Sequence, residues 1–266
     1  MTPDQQSLLE TLETALRSEA RIGSAWLTGS FGAGRGDAWS DIDITLVAGA
    51  GDIPGLLGDL MAQDGPLPAT ALRLSQFGRL VNGTTPELLR FDLVLSTPEE
   101  FARQTAAGVK LLFGDASQGP VERPARPSDP AAAARRVEAL VTEFLRILSL
   151  APVAVGRREW VVMQDGVGHL RRLLIELMLE ENGVGPAERG GAKKLYPFLT
   201  AEQIAELEAL TPPRAIKAEL LAANRDLRDR FLPRARRVAQ ATGAAWPADW
   251  EAAVMSGLAR DLPALG

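Results

Sequence analysis

The 266-residue chain has no cysteine. That absence excludes disulfides, thiol catalysis, thiolate zinc sites and iron–sulfur clusters, and it permits a reducing compartment. Histidine is nearly missing too. The single His169 cannot build a multi-histidine metal site, so any metal has to sit on oxygen ligands, which points to magnesium or a similar hard ion. Positive charge is also short: 29 Lys and Arg stand against 34 Asp and Glu, a formal net charge of −5. An acidic balance argues against broad electrostatic binding of nucleic acid. The N-terminus has neither the basic region nor the apolar run of a signal peptide, and no apolar stretch reads as long enough to span a bilayer. Together these absences predict a cytoplasmic protein with no membrane and no nucleic-acid partner.

What is present fits a globular chain of one large or two medium domains, 46% hydrophobic and 24% charged. Thr2-Pro3-Asp4-Gln5 predicts a helix start, with a capping residue, proline at the first helical position and Gln three residues after the cap. Leu8, Leu9, Leu12 and Leu16 then give that helix one apolar face. The run Ser24 to Leu27 reads as a buried strand that ends in the glycine-rich stretch Thr28 to Gly36. Residues 41 to 47 alternate with the period of a strand: Asp41, Asp43, Thr45 and Val47 share one face, and Ile42, Ile44 and Leu46 the other. Further strands are predicted at 69–76, at 87–95 and from Val109 to Phe113. In the second of these, Asp92 lies on the face opposite Phe91, Leu93 and Leu95.

Residues 116 to 130 carry Pro120, Pro124, Pro127 and Pro130 and little core material, so they are predicted to be a linker. Beyond them the pattern is helical. Residues Arg157 to Glu181 repeat apolar side chains at alternating three and four spacing, with Gly183 able to end the helix. Thr200 to Gln203 forms another capping box, and a long helix from Ala215 to about Gly243 is predicted to bend at Pro233. Charge splits at the same boundary: residues 1–115 hold 8 basic and 15 acidic side chains, whereas residues 131–266 hold 19 basic and 17 acidic.

The segment from Gly29 to Asp43, Gly-Ser-Phe-Gly-Ala-Gly-Arg-Gly-Asp-Ala-Trp-Ser-Asp-Ile-Asp, concentrates the chemistry. A strand that ends in Gly29-Ser30 and opens into a glycine-rich turn can present backbone N–H groups and a hydroxyl to phosphate oxygens. Asp41 and Asp43, two residues apart on one strand face, can reach the same divalent ions, as two-metal phosphoryl and nucleotidyl transfer requires. Asp92, embedded in an apolar run, needs a partner or a metal to offset its desolvation and is the natural third carboxylate. Taken alone, an Asp-x-Asp strand is usually a solvated sheet face. Its coupling to Gly29-Ser30 and to Asp92 is what sets it apart.

Gly29-Ser30, ten intervening residues, then Asp41-Ile42-Asp43, with Asp92 as a third acidic position, resembles the signature of the nucleotidyltransferase superfamily of DNA polymerase beta type. The longer string, the chain length and the helical second half are similar to the bacterial aminoglycoside and lincosamide nucleotidyltransferases. That resemblance implies an α/β (α+β) catalytic domain with a small mixed sheet over residues 1–115, then an all-α helical-bundle domain over residues 131–266 that closes the active-site cleft. It implies transfer of AMP from ATP to a hydroxyl of a small molecule, an aminoglycoside or a lincosamide, by a monomer or homodimer. Ser30 would hold the β- or γ-phosphate. Asp41 and Asp43 would bind magnesium, two ions in such enzymes, and Asp92 would ligate the catalytic metal or take the acceptor's proton. Gly29, Arg35, Ser40, Lys193 and Lys194 complete the expected nucleotide contacts, though Arg35 and the two lysines serve equally well as solvated loop charges. Glu87, Glu99 and Glu100 are alternative bases. His169 and the cluster Arg234, Arg236 and Arg237 read as helix-surface residues without a catalytic role. The alternative is a toxin–antitoxin module whose nucleotidyltransferase domain binds or adenylylates a partner protein.

Overall fold

A computed structural model describes residues 1–104, 106, 108–120, 130–185 and 195–263. The chain divides into two compact units, Met1–Arg126 and Pro127–Gly266.

The first unit is a mixed α/β structure. Helix α1 (Pro3–Arg17) starts as its capping box predicts, with the Thr2 hydroxyl accepting from the Gln5 backbone N–H and the Gln5 side chain accepting from the Thr2 backbone N–H. Leu8, Leu9, Leu12 and Leu16 are buried. Six strands follow: β1 (Ile22–Leu27), β2 (Ile42–Ala48), β3 (Leu72–Gln76), β4 (Leu80–Thr84), β5 (Arg90–Ser96) and β6 (Lys110–Gly114). They form one sheet in the order β3-β4-β5-β2-β1-β6. Only β2 and β5 run parallel; every other neighbouring pair is antiparallel. Three helices lie between strands: α2 (Gly29–Gly32), α3 (Ile53–Met61) and α4 (Pro98–Phe101).

Strand periodicity divides the sheet as expected. Ile42, Ile44 and Leu46 from β2 and Phe91, Leu93 and Leu95 from β5 pack into one core with Leu12 and Leu16 of α1 and Leu56 and Leu60 of α3. Trp26, Val47 and Phe101 form a smaller cluster, with the Trp26 and Phe101 rings 5.6 Å apart. Strand β4 is absent from the sequence expectations. Its Asn82-Gly83 pair has the composition of a turn, yet a Cβ on Gly83 would sit 2.1 Å from the Phe91 ring, so the glycine is there to let a core aromatic approach the neighbouring strand. The start of the expected linker also belongs to this unit: Ser24 donates to the Gln118 side chain at 2.8 Å, and Asp115 N–H bonds the Gly23 carbonyl.

The second unit is all helical among its described residues: α5 (Pro130–Ser149), α6 (Ala151–Arg157), α7 (Trp160–Glu181), α8 (Ala201–Glu208), α9 (Lys217–Thr242) and α10 (Ala248–Asp261), plus a 3₁₀ turn at Tyr196–Phe198. Its core includes Phe144 stacked on Phe231 at 3.8 Å. The helix expected from Arg157 begins three residues later, because Arg158 adopts a left-handed conformation (φ 59°) that separates α6 from α7. Helix α9 continues through Pro233 and ends at Gly243 in the left-handed region. One stretch, Ala131–Arg157, is long and apolar enough to cross a membrane by length and composition, which corrects the expectation that no such stretch exists. Val137, Val141, Phe144, Leu145 and Leu148 within it are buried in the core of this unit.

Candidate active site

The parallel pairing of β2 with β5 determines the site. In that register Asp43 lies opposite Asp92, so two strands far apart in sequence put their carboxylates side by side. Asp41 immediately precedes β2. Carboxylate oxygens of Asp41, Asp43 and Asp92 all lie within 4.8 Å of one another, with Asp41 buried and the other two half-buried. They form a metal-capable acidic cluster among the described residues. All-oxygen donors of this kind suit a hard divalent cation.

The glycine-rich turn abuts this cluster. Gly29 has φ +58°, and a Cβ there would fall 1.9 Å from Asp43 Oδ2, so both the backbone conformation and the approach to the carboxylate demand glycine. The Thr28 backbone N–H bonds the Asp43 carbonyl at 2.9 Å and ties the turn to β2. Ser30 follows, and its Oγ is buried without a hydrogen-bond partner. A buried hydroxyl left unsatisfied costs about 1–3 kcal/mol, so its retention fits a ligand oxygen as its partner.

The remaining expected residues fall in different places. Arg35 is exposed at the end of the turn, its backbone N–H bonded to the Ser30 carbonyl. Ser40 does not face the cluster through its hydroxyl; that group accepts from Asp37 N–H at 3.0 Å and donates to Asp37 Oδ1 at 2.9 Å, closing a tight loop before Asp41. Lys193 and Lys194 lie outside the described residues. The alternative bases take no part in the cluster. Glu100 is the third residue of the capping box on α4 and pairs with Arg79; the bond from Thr97 N–H and the guanidinium hold its carboxyl below the usual range. Glu87 and Glu99 are exposed. His169 is half-exposed on α7 with its Nε2 3.4 Å from Glu143, and Arg234 and Arg236 are taken up in ion pairs within the helical unit.

Three supports of the site escape a reading of sequence. Asn82 on β4 donates its side-chain amide to Asp92 Oδ1 at 2.7 Å and so orients that carboxylate. Arg90 donates to the Trp39 carbonyl at 2.8 Å. Gln5 on α1 donates to the carbonyls of Asp37, Ala38 and Ser40 at 3.1, 3.3 and 2.9 Å. The Asn-Gly on β4 resembles a turn, and the other two contacts join residues 51 and at least 32 positions apart.

No protein-family model matches the chain, and no curated protein matches it. Among solved structures it is similar to an aminoglycoside 6-adenyltransferase from Bacillus subtilis, with 16% identity over 95% of this chain and 96% of that one and a TM-score of 0.42. It is also similar to a STING-associated CdnE c-di-GMP synthase from Capnocytophaga granulosa, with 10% identity over 89% of this chain and 83% of that one and a TM-score of 0.31. Both TM-scores are low, and what the site can do follows from the side chains of this chain.

Proposed function

We propose that the chain is a magnesium-dependent nucleotidyltransferase that moves AMP from ATP to a hydroxyl of a small molecule, an aminoglycoside or lincosamide antibiotic. The observation that carries this is the convergence of Asp41, Asp43 and Asp92 beside the Gly29-Ser30 turn. Like charges gathered this closely suit a site that receives divalent cations, and the donor set is the hard-oxygen set that magnesium prefers. When bound, magnesium neutralises the triphosphate and the developing charge at the transferred phosphorus. Asp41, Asp43 and Asp92 are the residues that would hold it.

The chain's own groups do the rest. Ser30 Oγ donates to a phosphate oxygen of ATP, and the Gly29 backbone, free of a side chain, lets that phosphate approach the carboxylates. Asp92, steadied by Asn82, accepts the proton of the acceptor hydroxyl. The acceptor oxygen bonds to the α-phosphorus as the bond from that phosphorus to the β-bridging oxygen breaks, and pyrophosphate leaves. Acidic side chains around the cluster favour a cationic acceptor such as an aminoglycoside. Arg35, Lys193 and Lys194 are proposed triphosphate contacts, the helical residues 131–266 a second domain that closes over the catalytic one, and the compartment the cytoplasm.

The test is mass spectrometry of an aminoglycoside and lincosamide panel after incubation with the protein, magnesium and each of the four nucleoside triphosphates. The expected result is one nucleotide unit added to a panel member, dependent on magnesium and lost in Asp41→Asn. An adduct that survives Asp41→Asn would overturn the carboxylate mechanism. No adduct on any small molecule, with a labelled partner protein instead, would replace the acceptor class with a protein.

A further inference from the structure

Gln5 sits in the first turn of α1, is 2% exposed, and uses both ends of its side-chain amide. Its Oε1 accepts from Thr2 N–H at 2.7 Å, which completes the helix cap and fixes which way the amide group faces. The amide nitrogen then points at three carbonyls of one loop, and the shortest of the three contacts, 2.9 Å, is to Ser40. The Ser40 carbonyl belongs to the peptide unit that continues into Asp41. A contact to it therefore restrains the plane from which the Asp41 side chain departs. From the other direction Arg90 holds the Trp39 carbonyl, and Asp37 Oδ1 accepts from Trp39 N–H at 3.0 Å. The loop is thus pinned at residue after residue up to the point where the acidic cluster begins. A helix cap alone needs only the Gln5 oxygen; the nitrogen contacts lie 32 to 35 positions away and contribute nothing to the cap.

We propose that Gln5 is a positioning residue for the metal site: its amide nitrogen holds residues 37–40 so that Asp41 meets Asp43 and Asp92 with its carboxylate already oriented. The inference rests on the proposed role of the three aspartates as metal ligands. Loss of a group bonded directly to a metal ligand typically lowers metal affinity 10- to 100-fold; Gln5 acts through the backbone of the preceding residue, so the low end of that range, about tenfold, is the effect expected here.

Two substitutions separate the clamp from the cap. Gln5→Glu keeps an oxygen for Thr2 N–H but presents no donor to the loop, whereas Thr2→Ala removes the hydroxyl half of the cap and leaves the amide nitrogen in place. Binding of Mn²⁺, followed by the free-ion electron paramagnetic resonance signal, reads the site without turnover. The expected result is on the order of tenfold weaker Mn²⁺ binding in Gln5→Glu, wild-type binding in Thr2→Ala, and a lowered melting temperature in Thr2→Ala. Gln5→Met, uncharged and of similar length, repeats the measurement should Gln5→Glu not fold. Wild-type Mn²⁺ affinity in folded Gln5→Glu or Gln5→Met overturns the role of Gln5 and leaves the aspartate site standing, provided Asp41→Asn abolishes binding. Wild-type protein that binds no Mn²⁺ overturns both.

Discussion

Two sets of at least half-buried carboxylates, one in each unit, have different neighbours. In the helical unit each faces a guanidinium: Glu180 receives Arg136 through two bonds at 2.8 and 3.0 Å, Glu206 receives Arg234 at 2.9 Å, and Glu251 receives Arg236 together with the Trp246 indole N–H. In the sheet unit Asp41, Asp43 and Asp92 turn toward one another. Ionised carboxylates gathered within 4.8 Å of one another repel, whereas a carboxylate beside a guanidinium is attracted to it. On the proposed reading, the ion pairs of the helical unit hold the fold, whereas the aspartate cluster of the sheet unit receives a cation.

The sharpest way to break that contrast is to neutralise one member of each kind. Asp43→Asn is expected to cut transferase activity by at least about a thousandfold, roughly 4 kcal/mol of transition-state stabilisation, and to leave the metal-free melting temperature no lower than wild type. Initial rates and thermal melts in chelator check the pair of outcomes; a large loss of stability without metal would put Asp43 with the structural carboxylates. Gly29→Ala comes next. A Cβ at a left-handed position and on top of Asp43 Oδ2 displaces that carboxylate, with activity expected to fall on the order of a hundredfold and stability by about 1–3 kcal/mol.

In the helical unit the effect inverts. Arg136→Met leaves Glu180 buried without that guanidinium and is expected to cost about 2–3 kcal/mol in denaturant melts, below the value for a fully buried pair because Arg136 is a third exposed. Turnover per folded molecule stays unchanged. A structural pair inside the sheet unit sharpens the contrast further. Arg21 bonds Glu19 and reaches Asp59 on α3, and the guanidinium holds the Glu19 carboxyl down to about 2 from its ordinary 4.5. A carboxyl lowered on folding stabilises above its unfolded value, and the contribution fades as pH falls from about 4.5 toward 2. The melting-temperature gap between wild type and Arg21→Ala is therefore present in full at pH 7 and closes across that acid window. A gap that persists unchanged to pH 2 would contradict the ion pair as its cause.

Much of this contrast can be read from the sequence where the physics is local. Alternation along Ile42 to Val47 and along Phe91 to Leu95 separates core from chemistry without reference to any other strand, because side chains in a strand alternate faces by geometry. Gly29 and Ser30 carry their signal in conformational freedom and chemistry at one point in the chain. The pairing of Asp43 with Asp92 is different: parallel register is decided by everything packed around the two strands, and Asp92 shows only its isolation in an apolar run. Gln5 is the most instructive omission. The capping box explains it so completely from four adjacent residues that its second task, visible only once α1 lies against the loop at 37–40, leaves no trace in the local pattern. Asn82-Gly83 misleads for the opposite reason, since a glycine selected by the Phe91 ring has the same composition as a turn. The left-handed Arg158 that splits α6 from α7 has no local signature in the sequence.

The most direct test of the central claim is to grow crystals with Mn²⁺ and an ATP analogue and to record anomalous scattering from manganese. The account predicts a peak within coordination distance of carboxylate oxygens of Asp41, Asp43 and Asp92, and no such peak in Asp43→Asn. Manganese bound elsewhere with the three aspartates unliganded, or bound identically in Asp43→Asn, would contradict it.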